Sequence, residues 1–203
     1  MARYTGPREK VARRFGVALF GPSKALEIRN FPPGQHGARN TRRKLSDYGT
    51  ALAEKQKLRF TYGVLEKQFR RVFAEAVRRK GVTGTIMLQL LEHRLDNIVY
   101  RLGFANTRFA SRQMVGHGHI QVNGVNVNIA SYLTKPGDVI TVKNTPRSQQ
   151  LVNRFLDLTQ GVVVPDWMTA DRDNKKGTIN RSPEREEIEV FCNEQLVVEL
   201  YSR

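Results

Sequence analysis

The chain has 203 residues, a single cysteine and a formal net charge of +15, from 34 Lys+Arg against 19 Asp+Glu. That length allows one or two domains with a real core, and one cysteine, Cys192, excludes an internal disulfide. No apolar run is long enough to span a bilayer, and the start Met1-Ala2-Arg3-Tyr4 lacks the apolar segment of a secretory signal.

The charge is unevenly placed. Residues 1–80 carry 20 Lys+Arg against 6 Asp+Glu, whereas residues 81–203 carry 14 against 13. A merely soluble surface mixes both signs. A one-sided block is the electrostatic footprint of a nucleic-acid binder, and with no membrane-seeking segment beside it, RNA or DNA is favoured over an anionic lipid surface.

Residues 1–45 are threaded with breakers (Gly6-Pro7, Gly16, Gly21-Pro22, Pro32-Pro33-Gly34, Gly37) and cations. Such an arm cannot bury enough apolar surface to order itself. Its Tyr4, Phe15, Phe20 and Phe31 are unusual for a tail, and predict an arm that orders on its partner. Ser46 or Asp47 then starts a helix to about Thr61. A second helix is expected from Val64 to Lys80, with Leu65, Phe69, Val72, Phe73, Ala76 and Val77 in one apolar stripe. Lys67, Arg70, Arg71 and Arg78 fall opposite, with Glu75 as the one nearby carboxylate. A third helix is expected from Thr85 to Leu102.

Residues 108–124 read RFASRQMVGHGHIQVNG. Thr107 is a helix cap, and Arg108 and Arg112, four apart, are neighbours on one face. Gly116 and Gly118 stop the helix. Ile120 and Val122 then alternate into Asn123-Gly124, a strong signal for a tight hairpin. A short helix feeding a hairpin would gather Arg108, Arg112, His117 and His119 on one surface, suited to a phosphate backbone. Further strands are expected at 125–129 and 139–142, and a helix at 147–160. Residues 171–183 read as turns and loop, and the acidic, apolar tail from Ile188 to Tyr201 should pack on protein. The fold class is α+β.

Several stretches resemble the ribosomal protein four family of the small subunit, bacterial or organellar branch, across nearly the whole chain. They include Ala2-Arg3-Tyr4-Thr5-Gly6-Pro7, residues 33–39 (PGQHGAR), 45–49 (LSDYG), 62–69 (YGVLEKQF) and 92–100, the helix-hairpin, and 198–202 (VELYS). The resemblance implies a mostly helical domain at 46–93, completed by 165–203. Inserted into it, at 94–164, would be a small RNA-binding module with a trailing helix, and residues 1–45 would form a basic extended arm. It implies a structural component of the small ribosomal subunit that grips a helix junction in the 5′ domain of the ribosomal RNA and nucleates assembly. It further implies ribosomal proteins three and five as neighbours, messenger RNA where it enters the subunit, and a share in decoding accuracy. The setting would be the cytoplasmic ribosome or an organellar matrix, with no membrane partner.

Carried over residue by residue, Arg108, Arg112, His117, His119 and Asn123 match the module's RNA-facing motif, and Arg39 and Lys44 the basic stretch near incoming messenger, which Arg42 and Arg43 extend. The remaining candidate rRNA-binding residues are Arg3, Tyr4, Arg8, Lys10, Arg13, Arg14, Lys55, Arg59, Lys67, Arg70 and Arg71. Relatives with four amino-terminal cysteines bind zinc; those thiolates are absent here, so the zinc-free branch is the consistent reading, with no metal or cofactor. An Arg94–Asp96 pair reads as structural, and Trp167 as buried. Enzymes that carry the same small module, such as some pseudouridine synthases, need a separate catalytic domain. Residues 1–93 contain no phosphate-binding glycine loop and no nucleophile–base grouping.

Overall fold

The structure is a computed structural model that describes residues 3–39 and 45–202. It divides into two compact units: one runs up to Met87 and resumes from Glu189, the other is Leu88–Ile188. Helices and a small antiparallel sheet make the fold α+β.

In the first unit the arm is not wholly extended. Helix α1 (Arg8–Phe15) buries Val11 and Ala12 and stops at Gly16, whose φ of 66° is open to glycine. Helix α2 (Lys24–Ile28) starts at Ser23, whose hydroxyl accepts from Leu26 N–H and itself donates to Glu9. The aromatic residues that mark the arm as unusual converge on one ring within this unit. Tyr4, Phe15 and Phe20 lie 5.1, 6.4 and 6.3 Å from Phe60. Phe60 belongs to α3 (Asp47–Thr61), which Ser46 caps as expected.

Helix α4 (Glu66–Arg78) buries Phe69 and Ala76. Val77, expected in its apolar stripe, is instead exposed, because the buried face is narrower than the spacing allows. The tail forms α9 (Glu194–Ser202), which packs along α3 and stacks Tyr201 on Phe73 at 4.7 Å. Glu66 ties these helices together. Its Oε1 lies 3.0 Å from Lys55 Nζ and accepts from the Tyr201 hydroxyl at 2.8 Å. Partial burial pushes the Glu66 carboxyl up, but the bonds from Lys55 and Tyr201 outweigh it and hold the group below its usual 4.5. Burial and the same carboxylate push the Tyr201 phenol well above its ordinary value.

The second unit contains the second half of α5 (Thr83–Glu92), then α6 (Leu95–Arg101). The single helix expected over 85–102 is therefore two. The break falls at His93-Arg94, where Arg94 is extended (φ −70°, ψ 134°). The N–H groups of Leu95 and Asp96 donate to the carbonyls of Tyr132 and Ala130 at 2.9 and 3.2 Å. These distant carbonyls replace intrahelical partners, so no glycine or proline is needed to mark the break.

Helix α7 (Arg108–Gly116) has the Thr107 cap, accepting from Ala110 N–H at 3.1 Å. Strands β1 (Ile120–Val122) and β2 (Val125–Asn126) form the expected hairpin, with both Asn123 (φ 50°) and Gly124 (φ 80°) left-handed. Strand β3 (Val139–Val142) is followed by α8 (Pro146–Leu158) and a second hairpin, β4 (Met168–Asp171) and β5 (Lys176–Ile179). The sheet order is β2-β1-β3-β5-β4, antiparallel throughout.

The second hairpin corrects two expectations: residues 171–183 are not all loop, and 165–188 lie in the second unit, leaving only 189 onward with the helical one. The cause is pairing, since β5 takes its register from β3, with Ile140 opposite Gly177. Gly177 is buried, and a Cβ there would collide with Leu102. Trp167 is buried in the same core as Leu95, Ile98, Met114 and Ile140.

Under α7 lies a buried ionic cluster. Asp96 accepts two bonds from Arg94, at 3.2 and 3.0 Å, and one from Arg112 at 3.0 Å. The three residues are 4 %, 3 % and 7 % exposed. Beside them Glu92 accepts from Asn97 at 2.6 Å and from Arg101 at 3.0 Å. The Arg94–Asp96 pair is structural, as its leucine-rich setting implies.

Two measurements follow from these clusters. Asp96→Ala leaves two buried guanidinium groups without their carboxylate, so urea unfolding should show a loss of about 3–5 kcal/mol; a loss below 1 kcal/mol would mean water reaches the site. Because the Glu66 carboxyl titrates lower when folded, its contribution is present above pH 4.5 and disappears as pH falls through the folded value. Stability of Glu66→Gln should therefore decline less between pH 6 and pH 3 than that of the wild type, and parallel declines would refute the assignment.

Candidate nucleic-acid interface

The helix-hairpin places its cations unevenly. Arg112 does not face outward. The i, i+4 spacing does put Arg108 and Arg112 on one face of α7, but that face lies on α6, where Arg112 serves Asp96. Arg108 is half-buried, its Nε donating to Asn97 Oδ1 at 2.8 Å and its guanidinium 4.6 Å from the Tyr100 ring centroid. Asn123 sits at the exposed turn, but its side chain accepts from Val139 N–H and donates to Asp138, both at 2.9 Å. It holds the hairpin in shape.

His117 is exposed and His119 half-buried, with ring centroids 6.2 Å apart. His119 Nδ1 is 2.8 Å from the Ser148 hydroxyl. Burial, then the positive fields of His117, Arg147 and Lys143, push the His119 imidazole below its ordinary 6.5. Those last two cations join the patch from the end of β3 and the first turn of α8. Sequence reasoning missed them; a Lys directly after an alternating strand and an Arg beside the helix-opening Pro146 were the available signals.

In the first unit Lys67, Arg70, Arg71 and Arg78 are exposed along α4. Glu75 takes Arg78 and Arg79, each at 2.9 Å, and these partners bring its carboxyl down to about 2. Arg70 reaches Glu66 at 3.5 Å. Among the described residues neither Lys67 nor Arg71 has a carboxylate within 4.0 Å. Lys55 does not belong to this surface: it is buried, paired with Glu66 and 5.4 Å from the Tyr201 ring centroid. Its aliphatic stem and its ion pair both serve packing.

On the arm, Arg3, Arg8, Lys10, Arg14 and Arg39 are exposed. Arg13 donates to the Arg29 carbonyl at 3.2 Å and lies 4.9 Å from the Phe31 ring centroid. Tyr4 packs edge-on against Phe60, so its ring works within the unit. Arg59 is half-buried, 4.4 Å from the Phe60 centroid. Arg42, Arg43 and Lys44 lie outside the described residues. Among the described residues no group of three or more His, Cys, Asp or Glu could hold a metal ion, and no helix is long and apolar enough to cross a membrane. What the outward groups offer is cationic hydrogen-bond donors and imidazoles, the chemistry of phosphate contact.

Residues 3–92 match the family description "Ribosomal protein S4/S9 N-terminal domain", and residues 93–140 match "S4 domain". The chain is 68 % identical to the small ribosomal subunit protein uS4 of Akkermansia muciniphila, 56 % to that of Opitutus terrae and 53 % to that of a Geobacillus species. Each alignment spans 203 residues and all of both chains. The protein that carries both this helix-hairpin and a basic helical unit belongs to the ribosomal protein S4 family of the small subunit.

Proposed function

We propose that the protein is a structural component of the small ribosomal subunit that binds the subunit's RNA and nucleates its assembly in the 5′ domain. The observation that carries this reading is the concentration of cations on residues 1–80, of which Arg3, Arg8, Lys10, Arg14, Lys67, Arg70 and Arg71 are exposed. In the second unit the RNA-facing set is Arg108, His117 and His119, extended by Lys143 and Arg147. Arg13 and Arg59 complete it on the first unit. Arg112, Lys55 and Asn123 act one step back, by holding the scaffold.

Lys and Arg neutralise phosphates and release counterions, which supplies most of the affinity and makes it steeply salt-dependent. The rigid helix-hairpin then selects RNA by shape, because folded RNA exposes phosphates and 2′-hydroxyls more than base edges. Arg39 contacts incoming messenger, and ribosomal proteins three and five are neighbours in the subunit. The chain works in the cytoplasmic ribosome as a scaffold and does not catalyse a reaction.

Binding of the full chain to a 5′-domain rRNA transcript, measured across 50–300 mM salt, tests the reading. Replacing Lys67 and Arg71 together by alanine should flatten the log–log salt slope by about 2, roughly one per lost phosphate contact, with circular dichroism unchanged. Arg112→Ala should lower the urea midpoint and leave the slope alone. A wild-type chain that prefers this transcript no more than a scrambled RNA would end the proposal.

A further inference from the structure

Between α1 and α3 the first unit carries a groove of about 520 Å³, within the range of about 300–1,000 Å³ common for small-molecule sites. Gly49 and Ala53, one helical turn apart, contribute to its floor, and Phe15 and Phe60 stand as apolar walls. Arg59 donates its Nε to Gln56 Oε1 at 2.9 Å while its guanidinium lies 4.4 Å from the Phe60 centroid. Two constraints therefore fix that plane before any ligand arrives. Phe60 is held in turn by Tyr4, Phe15 and Phe20, so the platform is rigid.

The lining holds three cations, Arg14, Lys57 and Arg59, against one carboxylate, Glu54. Both Glu54 oxygens are engaged, one by Lys57 Nζ at 2.6 Å and the other by Asn193 N–H at 2.9 Å. Arg14 is exposed at the edge. The groove is thus apolar and aromatic, with Lys57 matched to Glu54 and Arg14 supplying a positive rim. An apolar protein side chain would gain nothing from that rim, whereas a nucleotide uses both parts: its base stacks and its phosphate meets the cation.

We infer that this groove accepts one unpaired base of the bound RNA, stacked on the Arg59–Phe60 platform, with Arg14 at the flanking phosphate. The inference rests on the RNA-binding reading above and adds to it a base-stacking site. Recognition of this kind tolerates any base, because every base presents a π-face. The site therefore senses whether a nucleotide is unpaired at the right place in the RNA fold, and not which nucleotide it is.

The test uses the full chain and the 5′-domain rRNA transcript, with binding measured alongside base-specific chemical probing. Ala53→Leu fills the floor and leaves every charge in place. It should weaken binding about 5- to 150-fold, the contribution of one stacked base, without changing the salt slope. One unpaired base that the wild type protects should become reactive again. Arg59→Lys keeps the charge, loses the plane and should expose the same base; it adds no volume, so it carries the test if Ala53→Leu misfolds. Wild-type affinity with unchanged protections in both variants would overturn the inference. So would unchanged RNA binding with weakened attachment of a neighbouring ribosomal protein, which would assign the groove to a protein side chain. If the wild type itself shows no preference for the transcript, the RNA-binding reading fails and this one with it.

Discussion

The Asp96 carboxylate is the constraint on which the second unit turns. It sits in the first turn of α6 and holds Arg94, just before that helix, and Arg112, in the middle of α7. Ser111 reinforces the joint by donating to the Asp96 carbonyl at 2.6 Å. A buried ionic triad is not inherently more stable than well-packed apolar side chains, because three charges must be desolvated. What it supplies is orientation. An apolar contact between two helices tolerates sliding, whereas two directional bonds from α7 to Asp96, from Arg112 at 3.0 Å and from Ser111 at 2.6 Å, restrict its rotation. The hairpin that follows α7 inherits that orientation, and with it the placing of His117 and His119.

The same principle sorts the chain's cations. Asp96 and Glu92 are buried and Glu66 partly so, and each is matched to basic partners within its own unit. Those partners, Arg94, Arg112, Arg101 and Lys55, complete the scaffold. Outside, Glu75 and Glu54 match some of the remaining cations, whereas Lys67 and Arg71 have no carboxylate within 4.0 Å among the described residues. Counterions then occupy the surface until a polyanion displaces them. A total of +15 describes the molecule poorly; which cations are internally matched describes it better.

Much of this was legible in the sequence, and the exceptions have physical causes. The Asn123-Gly124 turn, the Thr107 and Ser46 caps and the stop at Gly116 depend on a few neighbouring residues, so local chemistry sufficed. The break at His93-Arg94 was not legible, because the carbonyls of Tyr132 and Ala130, far along the chain, satisfy the freed N–H groups. Strand β5 was hidden for a similar reason: Lys-Gly-Thr-Ile has little strand character until β3 pairs with it. Arg112 shows the limit most plainly. Spacing groups residues on a face, but only tertiary packing decides whether that face meets solvent or a buried carboxylate. The arm reversed the usual error. Its aromatic residues signalled ordering, and Phe60 of the same unit provides a surface on which Tyr4, Phe15 and Phe20 converge.

The acidic tail completes the argument about charge and position. From Pro165 onward carboxylates outnumber cations by 9 to 6, and most of these carboxylates are exposed, Asp166, Asp171, Asp173, Glu184 and Glu186 on the second unit. In the first unit the end of the tail closes on α3 and α4. Val197 is buried, Tyr201 stacks on Phe73, and the Tyr201 hydroxyl donates to Glu66. The tail therefore seals the apolar sides of these helices through uncharged groups, while Lys67 and Arg71 on α4 stay exposed. Seal and basic face depend on each other. Without the seal the apolar stripe of α4 would meet water; without the opposite basic face the helix would present no cations to solvent. One amphipathic helix, covered on one side by the chain's own end, is enough to present a fixed positive surface from a small unit.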